Sequence, residues 1–209
     1  MNKTLILKHN EREKDMSVVF DESNMQNRLG QYVPEGETLI AGIHVVNKEL
    51  HIFRYYQNCV PEGDKLYRLD DVEPKVLQVT KGKFATDDLY IGITQNYFIV
   101  ATCTPNTKFY YKFDFVDNSE PHELESTENF VNRDGIAPSI DLRDIGHIFK
   151  LSDITKCEFK KGMFGSVKCD LEFRDKSTFK LLFPKKAGLG NGMPHHAEFR
   201  VKIIDCLTK

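Results

Sequence analysis

Four apolar residues at every second position, Val167, Cys169, Leu171 and Phe173, alternate with Lys168, Asp170, Glu172 and Arg174. A helix would scatter this pattern around its circumference, because residues two apart lie about 200° around its axis. A strand sorts it, with one apolar face and one charged face. Residues 175–177 supply a turn, and Phe179, Leu181 and Phe183 resume the same period. The spacing therefore predicts an antiparallel hairpin over residues 166–183, with Val167, Cys169, Leu171, Phe173, Phe179, Leu181 and Phe183 facing inward.

The period of two recurs upstream. Leu89, Ile91 and Ile93 alternate with Tyr90 and Gly92, Gln95-Asn96 reads as a tight turn, and residues 97–103 form a nearly continuous apolar run. Such a run fits a strand buried on both faces. Phe109, Tyr111, Phe113 and Phe115 predict a strand with four aromatics on one face. Further strands are expected over residues 37–46 and 50–56 and around Leu66-Tyr67 and Val76-Leu77-Gln78-Val79, punctuated by Pro61-Glu62-Gly63-Asp64 and Lys81-Gly82. Order also returns around residues 145–149 and 151–154. Fifteen Phe and eight Tyr without a single Trp agree with pleated, half-buried surfaces.

Helices are expected at two places. Asp21 or Ser23 can cap a short one in which Met25 and Leu29 share a face, ended by Gly30 and Pro34. From about His195 to the end, Phe199, Ile203 and Leu207 recur four apart with Ile204 beside them, a stripe that should lie on the sheet. Between the regular parts, residues 116–139 are acidic, contain Pro121, Gly135 and Pro138, and carry no apolar period. They are expected to be more mobile than the strands.

Three segments, taken in order, resemble the bacterial pleckstrin-homology-like family, relatives of PH and GRAM domains. They are Pro34-Glu35-Gly36-Glu37 leading into an apolar strand, the run from Tyr90 through Thr94 to Val100, and Leu151-Ser152-Asp153-Ile154 followed by Lys160-Lys161-Gly162-Met163-Phe164-Gly165, the hairpin and a closing helix. The resemblance covers roughly residues 34–46 and 88–208. It implies a mainly β fold, a bent antiparallel sandwich or open barrel capped by a C-terminal α-helix. Residues 1–33 would then be an N-terminal segment with a short helix. Residues 34–209 would be the PH-like domain, carrying large insertions at about 47–87 and 116–145.

Charge and cysteine usage narrow the function classes. Twenty-nine basic against 31 acidic residues give a net charge of −2, which argues against a nucleic-acid binder. The charge is unevenly spread: residues 140–209 hold 14 Lys+Arg against 9 Asp+Glu, leaving 15 against 22 for residues 1–139. The excess is either an ordinary solvated face or a basic patch for an anionic partner. Cys59, Cys103, Cys157, Cys169 and Cys206 are odd in number and show no C-x-x-C spacing, as in a reducing compartment. Leu5-Ile6-Leu7 is too short for a signal peptide or a membrane span. A cytoplasmic protein is expected.

Reaction chemistry finds little footing. Asp70-Asp71, Asp87-Asp88, Glu120, Glu123, Glu125 and Glu128 read as surface acidity rather than an acid–base pair. Adjacent His195-His196 would diverge on a helix, and His44 and His51 lack ligand-spaced companions, so no metal is expected. Gly188-Leu189-Gly190-Asn191-Gly192 lacks the Lys-Ser/Thr of a phosphate loop and reads as a linker. No enzyme activity and no cofactor are expected. What remains is a binding or self-assembly module, its partner a protein or a second copy. The alternative is a weak contact with anionic lipid or small anions. The candidate contact residues are Lys160, Lys161, Met163, Phe164, Lys185 and Lys186. Lysines beside Met and Phe suit an anionic membrane, but Phe164 could equally fold back on the sheet or pack in an oligomer.

Overall fold

Helix α1 (Glu22–Gly30) precedes β1 (Ala41–His51). Then come β2 (Arg54–Gln57), β3 (Cys59–Glu62), β4 (Lys65–Arg68), β5 (Val76–Phe84), β6 (Asp88–Ile93), β7 (Tyr97–Thr102), β8 (Phe109–Val116) and β9 (Ile140–Asp141). β10 (Ile148–Lys150) leads through a 3-10 turn at Leu151–Asp153 into β11 (Ile154–Lys161), and a second at Met163–Gly165 leads into β12 (Val167–Phe173). β13 (Thr178–Phe183) and α2 (His196–Leu207) follow. The structure, a computed structural model, describes residues 20–52, 54–57, 59–62, 65–68, 76–84, 86–104, 109–116, 140–141, 146–187 and 192–208.

Seven strands form one antiparallel sheet in the order β10-β7-β6-β1-β13-β12-β11. Four of them, β1, β6, β7 and β10, make one meander, and β11 to β13 make another. Pairing of β1 with β13, from Val46↔Leu182 to His51↔Thr178, joins the two. β10 and β11 are the outer strands of this sheet, yet only residues 151–153 separate them in the chain. The sheet must therefore curl until its edges approach, giving an open half-barrel. Both meanders are tied to that corner. The Leu151 N–H donates to the Asn96 carbonyl at 2.8 Å, and the Arg174 N–H to the Asp153 carbonyl at 2.7 Å.

The concave side holds the main core. Phe98, Phe149, Phe173 and Phe179 form an aromatic cluster with centroids 4.7 to 6.3 Å apart. Ile43, Val45, Ile91, Ile93 and Val100 pack around it, and Ile203 and Leu207 of α2 enter the same core. The hairpin faces inward as its alternation predicts: Cys169, Leu171, Phe173, Phe179, Leu181 and Phe183 are buried, and Val167 is half-buried. In α2, Phe199 and Ile204 are only half-buried, a shallower seat for Phe199 than the stripe predicts. The Lys202 ammonium lies 5.4 Å from the Phe199 ring centre, covering part of its exposed side.

The outer face of β6 and β7 is buried too, which accounts for the continuous apolar run. Helix α1 lies across it, with Met25 and Leu29 packed among Tyr90, Ile99, Ala101 and Cys103. Asp21, rather than Ser23, is its N-cap: the carboxylate accepts the Asn24 N–H at 2.7 Å. Gly42 and Gly92 stand opposite each other beneath the helix. A Cβ on Gly42 would collide with Met25 Sδ and reach 2.7 Å from Leu29 Cδ1, and one on Gly92 would lie 2.9 Å from the same atom.

The two long connections leave from one end of the first meander. The registers Val46↔Asp88, Leu89↔Thr102 and Ile148↔Ile99 bring the end of β1, the start of β6, the end of β7 and the start of β10 together. Strands from both connections then pair with each other, as β2-β5-β8 and β3-β4-β9. The strand expected around Phe109–Phe115 is therefore β8, and it pairs with β5 rather than joining the curled sheet. β1 itself runs to His51, past the expected insertion boundary, because β13 pairs with it that far. Phe84, at the end of β5, is buried in the main core and meets His147 edge-on at 5.2 Å. The mobility expected of residues 116–139 falls, apart from Val116, outside the described residues.

Candidate docking site

The hairpin tip between β11 and β12 is where the sequence-derived contact residues lie. Gly162 N–H donates to the Ser166 carbonyl at 2.9 Å, and Ser166 N–H donates to the Met163 carbonyl at 3.0 Å. The Ser166 hydroxyl donates to that same carbonyl at 2.6 Å. Gly165 takes a φ of 76°, which suits glycine, but Phe164 takes a φ of 53°. A non-glycine residue in that region costs roughly 1–2 kcal/mol. Met163 is 74% exposed and Phe164 92% exposed, so neither folds back on the sheet.

The tip is also braced from outside its own hairpin. Arg200 of α2 donates from Nη1 to the Gly165 carbonyl at 3.0 Å and to the Pro184 carbonyl at 3.2 Å. The aliphatic stem of Lys185 lies against Gly165, where an added Cβ would sit 3.1 Å from Lys185 Cδ. The structure thus brings Lys161, Met163, Phe164 and Lys185 to one place, with Lys186 next in the chain. Lys160 is different. Its ammonium is held by Glu158 at 3.1 Å and Asp170 at 3.3 Å, and these carboxylates raise its pKa. Lys161, Lys185 and Lys186 have no ion pair among the described residues. Arg200 and Ser166 were not legible as part of this site, because only the docking of α2 brings Arg200 to the tip.

A second feature lies at the other end of β11. Among the described residues, that strand is the longer free edge of the curled sheet, eight residues against three in β10. Beside its first half runs an open groove of about 530 Å³, with Leu151, Ile154, Cys157, Cys206 and Leu207 as its apolar lining. Along the strand, Lys156 and Lys160 flank Glu158 at 3.2 and 3.1 Å, and both hold its carboxyl below the usual range.

Several buried polar groups lie near α1 and α2. His44 Nε2 meets Asp88 Oδ1 at 2.8 Å, but Phe20 lies against the imidazole at 4.0 Å. His196 Nε2 donates to the His44 carbonyl at 3.1 Å, while His195 turns outward to Glu22 at 2.9 Å. Burial lowers the pKa of His44, against the opposing pull of Asp88, and burial likewise lowers that of His196. Burial pushes the Cys103 thiol up, which suppresses its thiolate. Among the described residues no group of three or more His, Cys, Asp and Glu could hold a metal ion. No described helix is long and apolar enough to cross a membrane. Neither protein-family models, nor curated proteins, nor solved structures give a match to this chain.

Proposed function

We propose that this chain is a non-enzymatic, self-assembling binding module of PH-like fold that works in the cytoplasm. Two meanders joined through their first and last strands, with a C-terminal helix seated on the open core, support the fold assignment. The thiols of Cys103, Cys157, Cys169 and Cys206 are all free, which supports a reducing compartment.

The observation that carries the function is the free β11 edge beside its groove. An unpaired edge offers a row of main-chain donors and acceptors to another strand, and the groove offers apolar surface next to it. Lysines on an edge usually discourage such pairing. Here their spacing is self-compatible. When two β11 strands pair antiparallel about a two-fold axis at Cys157, Lys156 faces Glu158 of the second copy. With the axis at Phe159, Lys160 does. A two-fold contact of this kind closes on itself and makes a dimer.

Sedimentation of the purified chain tests this reading. A concentration-dependent dimer is expected, lost in Glu158→Lys, where like charges then oppose across the edge. Inverting all three charges, K156E/E158K/K160E, should restore it. A monomer at every concentration up to the solubility limit would remove the reading.

A further inference from the structure

We infer that the Met163–Phe164 tip is a membrane-contact element, a rigid apolar wedge for the interface of an anionic bilayer with Lys161, Lys185 and Lys186 placed for its headgroups. This goes beyond strand pairing and does not depend on it, since the groove lies beside the first half of β11 and the tip beyond its end. Two adjacent apolar side chains, 74% and 92% exposed, sit at the apex of a turn. Surface that stays apolar at a hairpin apex marks an interaction site rather than a core that failed to close. The backbone there is strained, with Phe164 at a φ of 53°, and strain of this kind collects at functional positions.

The kind of surface follows from what the tip can offer. The Gly162 and Ser166 N–H groups and the Met163 and Gly165 carbonyls are already bonded within the protein. These bonds hold the turn, and the side chains of Met163 and Phe164 project from it into solvent. Apolar side chains and mobile ammonium groups remain, and these need only an apolar layer beneath a sheet of negative charge. The long lysine stems can lie along the apolar boundary while their heads stay at the headgroup level. Lys160 belongs to the sheet surface instead, because Glu158 and Asp170 neutralise it. Bracing by Arg200 fixes the wedge before it docks, so little order has to be imposed on binding.

The chain contains no Trp, so the F164W variant carries one indole, at the apex itself. Its fluorescence should shift to the blue on vesicles of phosphatidylglycerol with phosphatidylcholine at low salt. Phosphatidylcholine alone and inorganic phosphate should leave it unmoved. Raising the salt should reverse the shift. In the otherwise native chain, Phe164→Asn removes the ring but keeps a residue that tolerates positive φ. It should weaken co-sedimentation with the anionic vesicles by at least about tenfold, the loss expected for one buried aromatic, while the melting temperature holds. No shift on anionic vesicles, an equal shift on neutral ones or with phosphate alone, or undiminished binding by Phe164→Asn would each overturn the proposal. So would a Phe164→Asn chain that loses self-assembly while the native chain ignores vesicles, which would assign the tip to a protein interface.

Discussion

Arg200 on α2 reaches the carbonyl of Gly165 in the β11–β12 turn, 35 residues away in sequence, at 3.0 Å. The last helix therefore has two tasks. Its apolar stripe fills the core, and its arginine holds the exposed tip in place. Arg200→Met keeps most of the apolar stem and removes the bond. Amide exchange of residues 162–166 should accelerate while β12 keeps its protection. The loss in global stability should be about 1 kcal/mol, the scale of a single hydrogen bond. Unchanged exchange at the tip would show that the turn holds its own shape.

The stripe on α2 is graded. Ile203 is fully buried, whereas Phe199 is half-buried and Val201 is 54% exposed. Ile203→Ala should cost about 2–5 kcal/mol in thermal or denaturant unfolding. Phe199→Ala should cost less than a fully buried Phe would, about 1–3 kcal/mol. Val201→Ser should stay within about 0.5 kcal/mol. Equal losses for Ile203 and Val201 would contradict the seating of the helix.

Beneath α1, Gly42 and Gly92 leave room for the side chains above them, and Leu29 approaches both. Gly92→Ala meets Leu39 Cδ1 at 2.6 Å and Leu29 Cδ1 at 2.9 Å. Both are far ends of flexible side chains, so the fold should survive with a loss of about 1–3 kcal/mol. Exchange should rise first in α1, because the helix must lift. An unperturbed α1 would mean that it sits further from the sheet.

Acid should weaken the fold through His44 and His196. Burial depresses both pKa values, so at intermediate pH the unfolded chain binds more protons than the folded one. Stability then rises with pH, and their contribution is complete above about pH 6.5, the unfolded value. It is lost as pH falls from there toward the depressed folded values. Asp88 beside His44 and Glu22 near His196 oppose the shift, and Arg200 reinforces it for His196. His195 works the other way. Glu22 raises its pKa, so its contribution is present below about pH 6.5 and lost as pH rises through the raised value. Its ring is exposed and solvent screens the pair, so the buried histidines should set the sign. A His196→Gln chain should show a shallower acid loss between pH 7 and pH 5 (both approximate bounds) than the native chain. An identical profile would acquit His196.

Patterning made the curled sheet largely legible, because one face of each hairpin strand is wet and the other is not. Val167 through Phe183 could be read residue by residue for that reason. The run from Tyr97 to Cys103 told only that both faces are covered. That α1 supplies the cover depends on Gly42 and Gly92, two residues with no side chain to signal it. Phe109–Phe115 shows the opposite limit: alternation announces a strand but not its partner, and β8 turned to β5. At the tip, Met163, Phe164 and the lysines were visible as an odd composition in a turn. Arg200 was not, since a lone arginine on an amphipathic helix carries no mark of what it will reach.

We propose that β11 pairs with its own copy along its outer edge. Hydrogen exchange measured strand by strand over a range of protein concentration tests it most directly. Amides of residues 154–161 should gain protection as concentration rises, while those of residues 167–173, already inside the sheet, should not change. Exchange in β11 that is independent of concentration, with the rest of the sheet protected, would contradict the account.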